Sequence, residues 1–300
     1  MQEDARGLAK GLAMALRAAV VAVVVCGCLA VAAVAEGAGN VNVAALQVAL
    51  RARGLYAGTI DGISGAGTAR GVRALERRAG LRVDGVVGPQ VRRALGRLGR
   101  HPLGSRPLRL GDVGWDVSAL EFRLAWRGFP SGNFDGGFGP QLQAAVEGYQ
   151  RWAGLPVDGV AGPATLGSLR AHPIPVSPLR LARPIGAPIG DGYGPRGNRF
   201  HSGVDFEAGT GAAVRAAGSG IVAFAGYNSG GYGNLVVLHH SLGVSTWYAH
   251  LSVIGVRRGE RVGTGALIGR VGATGDATGP HLHFEVRLRG AIVNPLTALG

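Results

Sequence analysis

Apolar positions along this chain follow two different rhythms. Through the middle they recur at helical spacing: Leu46, Val48 and Leu50, then Val72 and Leu75, then Val91 and Leu95. This spacing predicts three short helices joined by Asp-Gly turns. The pattern repeats at a constant offset of 74 residues, so that Leu50-Arg51-Ala52-Arg53-Gly54-Leu55 matches Leu124-Ala125-Trp126-Arg127-Gly128-Phe129 and Asp61-Gly62 matches Asp135-Gly136. Likewise Ala79-Gly80-Leu81 through Asp84-Gly85 matches Ala153-Gly154-Leu155 through Asp158-Gly159, and Gly88-Pro89 matches Gly162-Pro163. From Ile185 onward the rhythm shortens. Alternating runs at 220–224, 234–238, 244–248, 266–268 and 282–288, parted by glycine, predict the strands of an antiparallel all-β domain. Ser241-Leu242-Gly243 would close a hairpin that delivers His250 at its far end.

Residues 18–35 are different again: uncharged and apolar, preceded by Arg6, Lys10 and Arg17 and ending Ala33-Val34-Ala35 before Glu36. Positive flank, apolar run and small-x-small site describe a secretory signal peptide. The run exceeds the roughly 7–15 residues usual for such a segment. As a helix it would reach about 27 Å, close to the hydrocarbon thickness of a bilayer. An uncleaved anchor is the alternative. Either way the rest of the chain is expected outside the cytoplasm. Cys26 and Cys28 both fall in this run, so the mature protein needs no disulfide and has no thiolate for a metal.

Three hundred residues suffice for two or three domains, and 54 glycines imply many turns. The formal charge is +13, carried almost wholly by arginine. Residues 36–183 hold nineteen basic and ten acidic side chains, against nine and six in 184–300. Arginine suits carboxylate and phosphate groups, so an anionic polymer is a natural partner. Nucleic acid is not expected, because no nucleic-acid motif is present and the charges are spread rather than blocked.

The chemistry concentrates in the last hundred residues, in His201-Ser202-Gly203-Val204-Asp205, Tyr248-Ala249-His250-Leu251 and His281-Leu282-His283-Phe284-Glu285. On a strand, residues two or four apart share a face. His281 and His283 therefore project together while Leu282, Phe284, Val286 and Leu288 face a core. The same parity puts His201 and Asp205 on one side, with Gly203 leaving room between them. Two imidazoles and a carboxylate are a normal ligand set for catalytic zinc, with a fourth position left to water. There is no HExxH helix to supply the usual glutamate base, and histidine can do that work near neutral pH.

In this order, and followed by Asn294-Pro295, these motifs resemble the signature of the lysostaphin/LytM-type zinc endopeptidases that cut peptidoglycan cross-bridges. The resemblance runs from about residue 184 to 300 and implies the duplicated-hybrid-motif type of β domain. It implies one Zn2+ per chain held by His201, Asp205 and His283, with His250 and His281 as the catalytic pair. Glu285 shares the face of the HLH pair and could orient a ligand, although solvation is the simpler reading. His239 and His240, near the hairpin turn, are read as structural or substrate-facing.

The repeated segment resembles the three-helix peptidoglycan-binding domain found in cell-wall hydrolases. Its first copy departs at Leu75-Glu76, where the second has Tyr149-Gln150. The aspartates of the turns, Asp61, Asp84, Asp135 and Asp158, are read as turn formers, and Trp126, Tyr149 and Trp152 as core rather than sugar platforms. The expected fold is multidomain: two all-α three-helix modules and a C-terminal antiparallel all-β metallopeptidase domain. The expected organisation is a signal peptide or anchor (1–35), a first module (36–98), a second module (109–170), a proline-rich linker (171–183) acting as a semi-rigid spacer, and a peptidase domain (184–300).

The function expected from these resemblances is an exported zinc endopeptidase, secreted or wall-associated, or else anchored in the membrane and facing outward. It would act as a monomer on peptidoglycan, with other anionic wall polymers as further partners. A non-catalytic wall-binding activator of other hydrolases is the alternative.

Overall fold

Asn40 opens the first helix. Its side-chain oxygen accepts the backbone N–H groups of Asn42 (2.8 Å) and Val43 (3.4 Å), amides that no preceding carbonyl can reach. In the computed structural model, which describes residues 39–300, this helix, α1 (Val41–Arg51), is followed by α2 (Ala66–Arg78), α3 (Pro89–Ala94), α4 (Trp115–Trp126), α5 (Pro140–Trp152) and α6 (Pro163–Ala171). Corresponding helices of the two modules begin 74 residues apart, the offset of the sequence repeat. The reading of residues 1–35 as signal peptide or anchor lies outside the described residues. Among the described residues, no helix is long and apolar enough to cross a membrane.

Buried polar side chains latch the turns of each module. Gln47 on α1 accepts the Gly62 N–H (2.9 Å) and donates to Asp61 (2.8 Å). Its counterpart on α4, Glu121, accepts the Gly136 N–H at 3.0 Å. Gln150 on α5 accepts the Gly159 N–H (3.0 Å) and donates to Asp158 (2.7 Å). Its counterpart Glu76 accepts the Gly85 N–H at 3.0 Å. The departure of the first copy at Glu76 thus keeps the contact with glycine and removes only the donor to aspartate, since a carboxylate has no N–H. All four aspartates accept the amide two residues ahead, the turn-forming role their neighbouring glycines predict.

The C-terminal domain contains β1 (Gly194–Arg196), β2 (Arg199–His201), β3 (Val204–Phe206), β4 (Ala213–Arg215), β5 (Gly220–Asn228), β6 (Gly233–His239), β7 (Val244–Ala249), β8 (Leu251–Ile254), β9 (Arg261–Val262), β10 (Leu267–Val271), β11 (Leu282–Leu288) and β12 (Ala291–Val293). The main sheet runs β12-β11-β7-β6-β5-β9, with β3 also paired to β11; β4-β10-β8 form a second sheet and β1-β2 a ribbon. Every strand pair is antiparallel. Leu282, Phe284 and Val286 pack into the core against Val204, Phe206, Val236 and Tyr248, as the alternation along β11 requires. The expected hairpin joins β6 to β7. Strands of two to four residues, such as β3, β8 and β9, escape a reading by alternation because so few positions define no period.

The three units are not spaced apart. α1 is buried on nearly every side: Leu46, Ala49 and Leu50 pack with Val72, Leu75, Val91 and Leu95 of their own module and with Trp115 and Ala119 of α4, and Ala44 and Val48 pack with Phe122 and Ala125 of the same helix. The same cluster takes in Ile60, Phe134 and, from the β domain, Phe200. Trp126 stands edge-on to Phe200 (5.2 Å) and to Tyr193 (6.1 Å). Backbone bonds cross the seams: Ile60 N–H to the Gly197 carbonyl (2.8 Å), Phe134 N–H to Asn198 (2.7 Å) and Ile292 N–H to Gly128 (3.1 Å). The proline-bearing segment therefore does not hold the β domain away from the modules. Burying the aromatic cluster outweighs the extension that the prolines favour. Trp126 and Trp152 serve this seam, Trp152 donating to the Leu288 carbonyl (3.3 Å), and Tyr149 is fully buried.

Candidate metal centre

β11 pairs with β3 on one edge, setting His283 opposite Asp205, and with β7 on the other, setting His283 opposite Ala249. That register brings the ends of three motifs together. His201 closes β2, and the break at Ser202-Gly203 returns the chain so that Asp205 lies beside it. Gly203 is needed there: a Cβ would stand 2.9 Å from the His283 ring and would also meet the Phe284 carbonyl. The room expected of Gly203 is used by the histidine of another strand.

His201 Nε2 lies 3.1 Å from Asp205 Oδ1 and 3.1 Å from His283 Nδ1, and His283 Nδ1 lies 2.8 Å from Asp205 Oδ1. Three nitrogen and oxygen donors therefore converge, as the His201, Asp205 and His283 group. Tetrahedral coordination with bonds of ~2.0–2.1 Å places ligand atoms about 3.3 Å apart, so small outward shifts of these side chains would admit zinc. His201 is further fixed by its Nδ1, 2.7 Å from the Gly192 carbonyl, leaving Nε2 for the centre. Burial works against ionisation of Asp205, yet the His201 and His283 hydrogen bonds hold its carboxyl well below the usual carboxylate range. An anionic oxygen between two imidazoles is a donor set suited to a divalent cation.

The other two histidines flank this group. The ring centroids of His250 and His281 are 4.7 Å apart, and His250 is 5.8 Å from His283. Each is anchored through Nδ1, His250 to the Thr274 carbonyl and His281 to the Gly279 carbonyl, both at 2.8 Å. Their Nε2 atoms remain available, that of His281 lying 3.8 Å from Asp205 Oδ1. His250 follows the last residue of β7 with φ of 61°, a left-handed conformation that non-glycine residues adopt at a cost. Burial pushes its pKa down, so the ring is neutral and able to accept a proton at neutral pH.

Glu285 is not solvated. It is 0% exposed and lies 3.1 Å from His283 Nε2, accepts from the Tyr232 hydroxyl (2.8 Å) and from Ser202, and pairs with Arg287 (2.6 Å). Burial opposes its charge, but Arg287 and the bonds from His283 and Ser202 hold it ionised. A carboxylate behind a ligating imidazole fixes the ring's orientation and raises its basicity. Strand parity put Glu285 on the right face with Arg287 beside it; nothing along the chain revealed that Tyr232 would complete its cover. Arg287 itself stacks over Trp247 at 3.6 Å. His240 is structural, bridging the Ser219 carbonyl and the Thr246 hydroxyl.

Comparison with known proteins agrees with this geometry. Residues 199–295 match the family model of peptidase family M23. The C-terminal domain is an M23 peptidase domain. Residues 39–95 and 114–169 match the putative peptidoglycan binding domain, so the two helical modules are of that type. The DD-carboxypeptidase/endopeptidase Mpg of Neisseria meningitidis serogroup B is 48% identical over 99 residues, 33% of this chain and 23% of that protein. The glycyl-glycine endopeptidase ALE-1 of Staphylococcus capitis is 45% identical over 103 residues, 32% of this chain and 28% of that protein. Lysostaphin of Staphylococcus staphylolyticus is 43% identical over 101 residues, 32% of this chain and 21% of that protein. The matched part of this chain thus spans about a quarter of each relative.

Proposed function

We propose that this chain is an exported, zinc-dependent endopeptidase that hydrolyses peptide bonds in the stems or cross-bridges of peptidoglycan, directed to the wall by its two modules. The convergence of His201, Asp205 and His283 beside a second, anchored pair of histidines carries this reading. The names of the M23 relatives, a DD-carboxypeptidase/endopeptidase and a glycyl-glycine endopeptidase, support peptide-bond hydrolysis, and the matches to the peptidoglycan binding domain support the substrate class. His201, Asp205 and His283 would hold one zinc, which when bound polarises a peptide carbonyl and acidifies water. Glu285 steadies His283 from behind. His250 and His281 present Nε2 atoms to the same space, where one can take the proton of the attacking water and one can return a proton to the leaving amine. Their anchored Nδ1 atoms fix which nitrogen does this. A single chain is the working unit in this proposal.

The test is hydrolysis of purified walls, with zinc content measured alongside. His283→Ala is expected to lose both metal and activity. His281→Ala is expected to retain zinc while activity falls by roughly 10²–10⁴. Wall hydrolysis that survives a chelator, or that His281→Ala leaves intact, would refute the assignment.

A further inference from the structure

Module 2 and the M23 domain form between them an open cleft of about 640 Å³, within the range of ligand pockets. Its module-side wall includes Phe129, Gln141 and Ala144; its other wall includes Arg199, Tyr232 and Arg287. The cleft adjoins the metal centre on the Glu285 side and is not lined by the five residues of the centre themselves. Ser202, which also lines it, directly follows His201, and Ser202 and Tyr232 both hydrogen-bond Glu285, the carboxylate behind His283. No acidic side chain lines it, and of its two arginines Arg287 is already paired with Glu285, so Arg199 is the cation it offers to a carboxylate-bearing ligand. The hydroxyl of Ser131, in the same wall, is buried without a hydrogen-bond partner among the described residues. The wall is fixed relative to the site by the Ile292–Gly128 and Phe134–Asn198 backbone bonds and by Arg199 donating to Asn133 at 2.9 Å.

The corresponding groove on module 1 is smaller, about 390 Å³, and is lined by Leu55, Arg70, Arg73 and Arg77. At the positions of Arg70 and Arg73 module 2 carries Ala144 and Glu147. The long cationic side chains are therefore missing from the copy that faces the metal centre, and the cleft has room there.

We propose that this cleft is a substrate subsite: module 2 forms one wall of the groove that seats a carboxylate-bearing peptide segment of the wall polymer next to the scissile bond. The inference rests on the peptidase reading above and assigns module 2 a part in substrate positioning besides any remote targeting. Ala144→Trp fills the cleft from the module side, touching neither the proposed metal ligands nor the histidine pair. Arg70→Trp, at the matching position of module 1, is the control.

Binding of soluble cross-linked peptidoglycan fragments to the full-length, zinc-loaded His281→Ala protein is measured by calorimetry. Adding Ala144→Trp is expected to weaken binding at least tenfold, and adding Arg70→Trp to leave it unchanged. Arg199→Glu, an exposed charge reversal, is expected to weaken it comparably should Ala144→Trp fail to fold. In the active protein, Ala144→Trp is expected to raise KM for cross-linked fragments while leaving kcat intact. Folded Ala144→Trp or Arg199→Glu proteins that bind fragments as tightly as their parent overturn the subsite. Fragments that bind through this cleft but are never hydrolysed would instead overturn the peptidase reading and leave the subsite standing.

Discussion

The two helical modules are copies of one design put to different use. Both end their first helix in a left-handed glycine, Gly54 with φ of 69° and Gly128 with φ of 88°. A Cβ on Gly54 would meet nothing within 4 Å, whereas one on Gly128 would collide with the backbone of Ile292 in the M23 domain. Two residues earlier, module 1 has Ala52 where module 2 has Trp126, and Trp126 packs on Tyr193 and Phe200. Duplication conserved the helices and the turn latches. What changed is the surface beside the helix end, and that surface decides which copy adjoins the metal centre.

The most disruptive way to break this contrast is to give module 2 the residue of module 1. Trp126 is half-buried, so Trp126→Ala is expected to cost about 3 kcal/mol, the lower end of the range for truncating core aromatics. It should split the thermal unfolding seen by calorimetry into separate module and M23 transitions; an unchanged single transition would show that the seam is not held there.

Next comes Gly128→Ala. Both glycines have positive φ, so alanine at either costs roughly 1 kcal/mol in backbone strain. Only at Gly128 does the added carbon also strike the neighbouring domain, raising the expected loss to about 2–3 kcal/mol. Equal melting shifts for Gly54→Ala and Gly128→Ala would remove the close approach as the reason for the glycine.

A smaller effect separates Gln47 from Glu121. Burial, chiefly, pushes the Glu121 carboxyl well above its ordinary range. The stability associated with its protonated form is complete below the unfolded pKa, near ~4.3, and is lost as pH rises through the higher folded value. Glu121→Gln should therefore stabilise the protein by about 1 kcal/mol at neutral pH, because the amide can donate to Asp135 as Gln47 does to Asp61. In acid, where the glutamate is already neutral, the gain should vanish. A gain independent of pH would exclude the buried charge as its source.

Much of this protein could be read along the chain. The 74-residue repeat placed all six helices, because helical period and Asp-Gly turn chemistry are local properties. The motifs around His201, His250 and His281 named the five side chains that the fold then gathered. Glu285 was half readable: parity assigned its face, but whether that face met water depended on Tyr232 and Arg287, whose hydroxyl and guanidinium arrive 53 residues upstream and two residues downstream.

By itself the order of residues determined which segments become the helices and the longer strands and which of their side chains share a face, since both follow from spacing of a few residues. Only tertiary structure decided that β11 lies between β3 and β7, closing the metal centre, and that Trp126 and Gly128 bring module 2 against the M23 domain. Those outcomes depend on apolar surface that can be buried in several ways, and the choice among them is made by complementary shapes from distant parts of the chain. Proline spacing argued for separation, but it describes only the linker's own preference and carries no information about what the linked surfaces gain on meeting.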